Sequence, residues 1–394
     1  MADKTKIEWT DATWNPITGC AVVSPGCTNC YAMKLAGTRL QHHPSRAGLT
    51  RDTRSGPVWT SEVRFNEQWL DQPPRWRKPR MIFVCAHGDL FAEGVPDKWI
   101  DKVFAVMALA PQHTFQVLTK RADRMRDYCD SITSRSGAER IATAAAWIWG
   151  GKNPDGIVDG IMVEIADQSC LPNVWLGVSV EDQARADERI PLLLDTPAAV
   201  RWISAEPLLA PIELRRLSGR REGENFDAMA GAFWEAVLPN RYEPISPPLN
   251  SVPSPTHRQW TSGAGPRVDW VVAGGESGSG ARPMHPDWAR SLRDQCAAAG
   301  VPLLFKQWGE WLPFSQCRTP EQRETVSRTT RRSNETGNGD QTYFGKTIRR
   351  HPDGHFVTST TPGLRPEQIN RVGKKVAGRV LDGVVHDAMP EVAR

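Results

Sequence analysis

Six short, nearly continuous apolar runs recur along the chain, and each ends in polar or glycine residues. Runs of this length are typical of strands that are buried on both faces of a sheet. A further strand is expected within residues 7–14, before the first cysteines. The predicted strands are therefore 7–14, 81–85, 115–119, 174–178, 200–204, 268–272 and 301–305.

Helical patterns lie between these strands. Pro96 and Asp97 supply a helix start signal, and apolar residues follow at helical spacing from Ile100. Before the last strand, a segment that opens at Pro286 carries apolar residues on one face. Gly300 stands where a C-terminal glycine would end that helix.

Another helix is expected over residues 183–189, where Asp182 could cap the start and Pro191 would interrupt the end. The alternation of strands and helices predicts a parallel sheet with right-handed crossovers. We therefore predict an α/β fold with a partial or closed (β/α) barrel of the TIM-barrel kind. A doubly wound open sheet is the alternative.

Three polar stretches interrupt this alternation, at about 37–80, 210–267 and 316–370. The first is rich in arginine and proline, the second contains a proline- and serine-rich run, and the third carries paired arginines. We interpret all three as insertions on one barrel-like domain that covers residues 1–394.

The composition, 39% hydrophobic and 24% charged residues, is typical of a soluble globular protein. The net charge of +4 permits a nucleic-acid partner without requiring one. No apolar run approaches the ~20 residues of a membrane span, and the first residues lack the apolar centre of a secretion signal. We expect a cytoplasmic protein with no membrane contact, in which clustered cysteines bind metal or perform redox chemistry.

Three cysteines, Cys20, Cys27 and Cys30, form a C-x6-C-x2-C pattern. Three thiolates on a [4Fe–4S] cluster leave one iron without a protein ligand, and such an iron could chelate S-adenosylmethionine. Zinc is an alternative, because His42 or His43 could complete a Cys3His site. Three unligated buried cysteines are the third possibility.

Polar side chains follow the predicted strands, at the edge where a barrel carries its functional groups. Acidic and basic groups there could bind substrate or transfer protons, and the glycine-rich segment 274–278 could offer backbone amides to an anion. A solvated helix start and a short glycine turn are the structural alternatives. The candidate catalytic residues are Asp89, Lys120 and Glu206, and the candidate cofactor-binding residues are Ser179, Glu181, Gly274, Gly275, Glu276 and Ser277.

Residues 6–20 (KIEWTDATWNPITGC) and 23–32 (VSPGCTNCYA) resemble the start of a phage-associated three-cysteine family. The resemblance continues at 89–91 (DLF), 118–121 (LTKR), 177–182 (GVSVED), 204–209 (SAEPLL), 274–278 (GGESG), 305–311 (FKQWGEW) and 372–383 (VGKKVAGRVLDG). That family has no assigned biochemical function and is distantly similar to radical S-adenosylmethionine enzymes.

The resemblance implies a partial or full (β/α) barrel and a [4Fe–4S] cluster on Cys20, Cys27 and Cys30, with S-adenosylmethionine as a further cofactor. A separate protein partner or electron donor is also possible. The chain departs from the radical enzymes in three respects. The first cysteine spacing is three residues longer than their commonest pattern, Asn29 replaces an aromatic residue, and the glycine–glycine–glutamate element comes late.

Our leading hypothesis is a radical S-adenosylmethionine-like iron–sulfur enzyme that acts on a nucleotide or a nucleic-acid base. The arginine-bearing insertions and the phage association favour that substrate class. The alternative is a non-catalytic iron–sulfur or zinc protein that binds DNA through phosphate contacts from residues 316–370.

Overall fold

The computed structural model describes residues 5, 7–149, 154–218, 224–236, 242–244, 265–336, 341–344, 346–350, 356–360 and 366–391. Most of the proline-rich run in the second predicted insertion, residues 245–264, lies outside the described residues.

The α-helices of the described residues are α1 (Tyr31–Gly37), α2 (Gln72–Arg75), α3 (Asp97–Ala108), α4 (Ala122–Ile132), α5 (Arg135–Trp149), α6 (Pro154–Gln168), α7 (Gln183–Asp195), α8 (Pro286–Ala299), α9 (Pro320–Thr336) and α10 (Lys374–Ala377). Short 3-10 helices cover Pro25–Cys27, Glu67–Trp69 and Phe314–Gln316.

The strands of the first half of the chain are β1 (Ala12–Trp14), β2 (Ile17–Thr18), β3 (Thr50–Thr53), β4 (Gly56–Trp59), β5 (Arg64–Phe65), β6 (Met81–Val84), β7 (Thr114–Thr119), β8 (Val174–Ser179) and β9 (Val200–Ala205). Those of the second half are β10 (Leu217–Ser218), β11 (Glu224–Asp227), β12 (Ala232–Ala236), β13 (Tyr242–Pro244), β14 (Trp270–Gly274), β15 (Leu303–Gln307), β16 (Trp311–Pro313), β17 (Gln341–Phe344), β18 (Lys346–Arg350), β19 (Phe356–Thr360), β20 (Glu367–Arg371), β21 (Val380–Leu381) and β22 (Val384–Val385).

The main sheet has seven strands in the order β1-β6-β7-β8-β9-β14-β15, and its strand pairs run parallel. All seven predicted strands are part of this sheet. The strand order is linear, with β1 and β15 at its ends, so the sheet is that of a partial (β/α) barrel rather than a closed one. The prediction of an α/β fold built on a parallel sheet is confirmed.

The chain divides into two compact units. The first unit comprises residues 1–179, 187–204 and 218–269, and the second comprises 180–186, 205–217 and 270–394. In the first unit, β1 and β6 to β8 form a parallel ladder with α3 and α4 between successive strands. In the second unit, β14 and β15 pair in parallel and α8 connects them.

The predicted helix signals agree with the structure at α3 and α8. Pro96 directly precedes α3, and Ile100 is buried in its apolar face. Helix α8 begins at Pro286 and ends at Gly300, whose φ of 65° is the left-handed conformation that glycine accommodates. No helix in the described part of the chain is both long enough and apolar enough to cross a membrane.

Helix α7 corrects one expectation. Asp182 caps its start, since an Oδ1 atom of Asp182 accepts from the backbone N–H of Arg185 at 3.0 Å. The helix nevertheless continues through Pro191 to Asp195, so the predicted interruption is wrong. The buried side chains of Ile190 and Leu193 explain the continuation, because their packing outweighs the one backbone hydrogen bond that proline removes.

A glycine in the main sheet makes room for a tryptophan on the neighbouring strand. Gly177 of β8 lies opposite Trp202 of β9 in the register, and a Cβ at Gly177 would come within 2.5 Å of the indole. The Trp202 ring is fully buried and packs edge-on against Trp9, with ring centroids 5.3 Å apart. The packing of Trp202 in the interior of the first unit therefore requires a residue without a side chain at position 177.

The substitution Gly177→Ala should destabilise the protein by about 1–3 kcal/mol, because the new methyl group overlaps a ring that has no free space to enter. Gly160→Ala is the matched control. Gly160 is an exposed residue of α6 with no atom within 4 Å of the added Cβ, so alanine should stabilise by roughly 0.5–1 kcal/mol. Urea unfolding of the two variants measures both effects, and a Gly177→Ala protein as stable as the wild type would contradict this account of the packing.

Candidate functional site

The cysteine loop, residues 19–30, begins directly after β2 and is anchored by backbone contacts. The N–H of Gly19 donates to the carbonyl of His87 at 3.2 Å. Gly19 has a φ of +93°, and a Cβ there would lie 2.2 Å from the carbonyl oxygen of Glu62. Only glycine fits this position without displacing the backbone, so the start of the loop is held against the segments that carry His87 and Glu62.

The three cysteines differ in burial. Cys27 ends the 3-10 helix and is buried, whereas Cys20 and Cys30 are half-buried. A charge on Cys27 would raise the pKa of both of the other thiols, as a smaller effect than their burial.

Positive groups lie beside two of the sulfurs. A guanidinium nitrogen of Arg121 donates to the Cys20 sulfur at 3.3 Å. The backbone amides of Met33 and Ala32 favour the thiolate of Cys30, although neither has hydrogen-bond geometry to the sulfur, and the Lys120 ammonium adds a smaller effect in the same direction.

Burial has the opposite effect on these thiols. It raises the pKa of Cys20 to about 12, with the carboxylate of Asp89 adding to the rise and Arg121 opposing it. Burial also raises the pKa of Cys30. Because a metal that binds a thiol displaces its proton, the positive groups stabilise the form of these two residues that a metal requires.

The arrangement of the thiols bears on which metal the loop fits. In the described residues, no group of three or more histidine, cysteine, aspartate or glutamate side chains could hold a metal ion as placed. A single zinc ion needs thiolates about 3.8 Å apart, from its bond length of about 2.3 Å and tetrahedral geometry. A cubane cluster binds each thiolate to a different iron and therefore accepts a wider spacing. The loop offers three thiols, the number of protein ligands that the cluster hypothesis requires, and positive groups act on two of them, Cys20 and Cys30.

The two histidines that could complete a zinc site are exposed. The Nδ1 atom of His43 lies 2.6 Å from the Ser45 hydroxyl, and its backbone neighbour His42 has no hydrogen bond to a cysteine in the described residues.

Arg121 joins three segments of the first unit and is only 5% exposed. Its Nη1 atom donates to Cys20 and, at 3.2 Å, to Oδ2 of Asp89. Its Nε and Nη2 atoms donate to the two carboxylate oxygens of Glu93 at 3.1 and 3.0 Å, and Nη2 also reaches the carbonyl of Ala21 at 3.2 Å. The sequence suggested Lys120 and Arg121 as ligands for phosphate or carboxylate, as partners of Glu206, or as a solvated helix start. It did not indicate the contacts of Arg121 with Cys20, Asp89 and Glu93, because nothing local identifies the partners of a buried arginine.

The Asp89 carboxylate accepts four hydrogen bonds. One carboxylate oxygen accepts from the N–H of Phe91 at 2.9 Å and from the Thr119 hydroxyl at 2.7 Å. The other accepts from the N–H of Lys120 at 3.3 Å and from Arg121. Four donors on a buried carboxylate favour a positioning role for this candidate catalytic residue.

Lys120 and Ser179 lie at the carboxyl ends of the paired strands β7 and β8. The Lys120 ammonium donates to the Ser179 hydroxyl at 2.6 Å. Across the part of the chain that is described, no carboxylate forms an ion pair with Lys120. The ammonium therefore has a neutral partner while it lies near enough to Cys30 to favour its thiolate.

A buried pair behind the cysteine loop was not predicted. Arg46 is 4% exposed, and its Nη2 atom donates to Nδ1 of His87 at 2.7 Å. Burial and the charge of Arg46 together lower the pKa of His87 to about 4, so this imidazole is neutral near pH 7. The Tyr31 hydroxyl donates to the carbonyl of Ala86 at 2.5 Å, and its ring lies edge-on to His87. Arg46 lies within the irregular segment 37–80, where no periodic pattern marks a functional residue.

The low pKa of His87 predicts a loss of stability in mild acid. The unfolded chain binds a proton at the ordinary pKa of 6.5, and the folded protein does so only near 4. The stabilisation is therefore complete above pH 6.5 and falls by at most about 1.4 kcal/mol per pH unit as the pH drops from 6.5 to 4. In His87→Asn, whose amide oxygen can still accept from Arg46, the free energy of unfolding should vary less steeply over this range. Equal slopes in urea titrations of the two proteins would refute the assignment.

In the second unit, Glu206 forms an ion pair that the sequence did not identify. The Lys306 ammonium lies 3.0 Å from the Glu206 carboxylate, and the Gln307 amide donates to the same carboxylate at 3.1 Å. The two partners that the sequence suggested for Glu206 bond other residues. Lys120 donates to Ser179, and Arg121 forms ion pairs with Asp89 and with Glu93.

The glycine-rich segment packs against the loop that follows β15. A Cβ at Gly275 would lie 2.1 Å from the carbonyl oxygen of Trp308, and one at Gly309 would lie 2.0 Å from that of Glu276. The Glu276 carboxylate accepts from the Arg282 guanidinium at 2.9 and 2.6 Å. These glycines therefore allow two backbones to meet, and Glu276 is held by its own loop.

The other candidates of this unit are Glu181, Gly274 and Ser277. Glu181 is fully buried, and the pKa of Arg282 is raised by its hydrogen bonds to Glu276 and, to a smaller extent, by the charges of Glu276 and Glu181. Gly274 precedes the interlocked loops, and a Cβ there would lie 3.6 Å from the Glu206 carboxyl carbon. Ser277 is half-buried.

The predicted site residues thus form one set in each unit. The first unit contains Cys20, Cys27, Cys30, Asp89, Lys120 and Ser179, and the second contains Glu181, Glu206, Gly274, Gly275, Glu276 and Ser277.

The fold and the cysteine loop together define an α/β protein with a partial (β/α) barrel and a three-cysteine loop after its first strands. The chain belongs to the family described as protein of unknown function (DUF5131), whose profile matches residues 4–390. No curated protein matches the chain. No solved structure matches it either.

Proposed function

We propose that this chain is a radical S-adenosylmethionine-like iron–sulfur enzyme with a [4Fe–4S] cluster on Cys20, Cys27 and Cys30. The observation that carries the proposal is the charge around the loop. The buried Arg121 guanidinium donates to the Cys20 sulfur at 3.3 Å, and the Lys120 ammonium adds a smaller effect that favours the Cys30 thiolate against the rise in pKa that burial causes. Such groups stabilise anionic sulfur, which is the form that binds iron.

The chain's own residues would divide the work as follows. The three cysteines hold the cluster, which supplies an open iron and one electron for cleavage of S-adenosylmethionine when both are bound. Asp89 fixes the orientation of Arg121 and the start of α4 through its four hydrogen bonds. Lys120 and Ser179 offer an ammonium and a hydroxyl at the carboxyl ends of β7 and β8, where they would bind an anionic group of the cofactor or substrate.

A nucleotide or nucleic-acid base is the proposed substrate class. Its support is the resemblance of the motifs to a phage-associated family and the composition of α9. This helix has four exposed arginines, Arg323, Arg328, Arg331 and Arg332. Exposed arginines can contact phosphate groups in a salt-dependent manner.

Anaerobic purification and reconstitution should give about four irons and four sulfides per chain, as expected for one cubane cluster. Replacing Cys20, Cys27 or Cys30 singly by alanine should abolish stable cluster binding, because each thiolate binds a different iron. Cys129→Ala is the matched control, since Cys129 is a buried cysteine of α4 in the same unit and should leave the iron content unchanged. Iron, sulfide and zinc analysis with the visible absorption spectrum decides this point.

The reaction itself is tested with the reconstituted protein, S-adenosylmethionine and dithionite. Release of 5′-deoxyadenosine and methionine is the expected result, and the Cys27→Ala protein should release neither. A stable cluster that never cleaves S-adenosylmethionine would favour the non-catalytic, DNA-binding alternative. Stoichiometric zinc without iron would overturn the proposal.

A further inference from the structure

We propose that Arg121 is a positioning residue that holds Cys20 for iron binding and raises the reduction potential of the cluster. The inference rests on the proposed function, because it assigns a role to a side chain that contacts one of the three cysteines.

The Arg121 guanidinium has one defined orientation. The Glu93 carboxylate accepts from Nε and Nη2 in parallel, and Asp89 accepts from Nη1. Acceptors on two edges of the planar group fix its orientation. The same Nη1 atom that bonds Asp89 also donates to the Cys20 sulfur at 3.3 Å. Only 6% of the Arg121 side chain is exposed, so water does not compete strongly for these bonds.

The contact also fixes the backbone of the cysteine loop. Nη2 donates to the carbonyl of Ala21, the residue that follows Cys20, at 3.2 Å. Two bonds from one guanidinium therefore hold both the sulfur of Cys20 and the peptide beside it. Six residues separate Cys20 from Cys27, and ordering them costs conformational entropy. The two hydrogen bonds from Arg121 offset part of that cost.

The charge of Arg121 acts on electron transfer. One-electron reduction makes a cluster and its thiolates more negative, so a cation that donates to a ligand sulfur stabilises the reduced form more than the oxidised form. Asp89 is equally buried and has the opposite sign. Arg121 contacts both the carboxylate and the sulfur, and it therefore offsets the negative field that Asp89 would impose on the cysteine loop.

The neighbouring arginine of α4 supplies a matched control. Arg124 donates to the carbonyls of Phe91, Ala92 and Val95 and pairs with Asp97. It has no contact with a cysteine in the described residues. Arg124→Gln therefore removes an arginine three residues after Arg121, in the first turn of α4, that binds the segment 91–97 and has no contact with the sulfur.

The test compares wild type, Arg121→Gln, Arg121→Lys and Arg124→Gln, each reconstituted anaerobically as the full chain. Iron content, the midpoint potential from an electron paramagnetic resonance titration, and the unfolding temperature of the metal-free protein are measured for each. At the potential of the wild-type midpoint, the ratio of reduced to oxidised cluster in Arg121→Gln should be about tenfold lower than in the wild type, the order of effect expected from losing one charged hydrogen bond. Arg121→Lys keeps the charge but loses the paired N–H donors, so its midpoint potential should lie between those of the wild type and Arg121→Gln. The midpoint potential of Arg124→Gln should match that of the wild type.

A full iron content with an unchanged potential in Arg121→Gln would overturn the inference. Loss of iron in Arg121→Gln with an unchanged unfolding temperature of the metal-free protein would support the positioning role. Iron loss accompanied by an equal loss of folding stability would assign Arg121 a purely structural role and also overturn the inference. If the wild type binds no iron, the proposed function fails first, and this separates the two hypotheses.

Discussion

Parallel pairing of neighbouring strands is the constraint on which the candidate site of the first unit depends. In a parallel ladder all carboxyl ends lie at one edge, so the segments after β6, β7 and β8 emerge side by side. The pairing of β1 with β6 brings the cysteine loop to the same edge. Asp89, Lys120 and Ser179 are far apart in sequence, and the ladder alone makes them neighbours.

The second constraint is the burial of charge. A guanidinium and a carboxylate at the interior of a protein lose their hydration, and the loss is compensated only when both are fully hydrogen-bonded. Arg121 and Asp89 meet this condition through the hydroxyl of Thr119, two backbone amides and Glu93. The cysteine loop takes part in the same network through Cys20. The position of the cysteine loop therefore depends on the stability of the buried Arg121–Asp89 pair.

The strands of the main sheet and the starts of α3, α7 and α8 could be predicted from the sequence, because burial on both faces and helix start signals are local properties. The sequence also placed Asp89, Lys120 and Ser179 at strand ends. The ion-pair partners could not be predicted from the sequence. Glu206 pairs with Lys306, a residue 100 positions away, and no local pattern specifies such a contact. Arg46 was missed because the segment around it has no periodicity. The passage of α7 through Pro191 was missed because tertiary packing overrode the local effect of proline.

The bond between Arg121 and Cys20 has a consequence for how the protein is made. The two residues are 101 positions apart, so the cysteines leave the ribosome well before the arginine that orders their loop. Until the segment around Arg121 has been made, the Cys20 sulfur lacks its guanidinium donor and its thiol is more open to oxidation. Metal loading of the proposed centre would therefore follow synthesis of the segment around Arg121 rather than accompany synthesis of the cysteines, and a nascent chain would need reducing conditions for that whole interval.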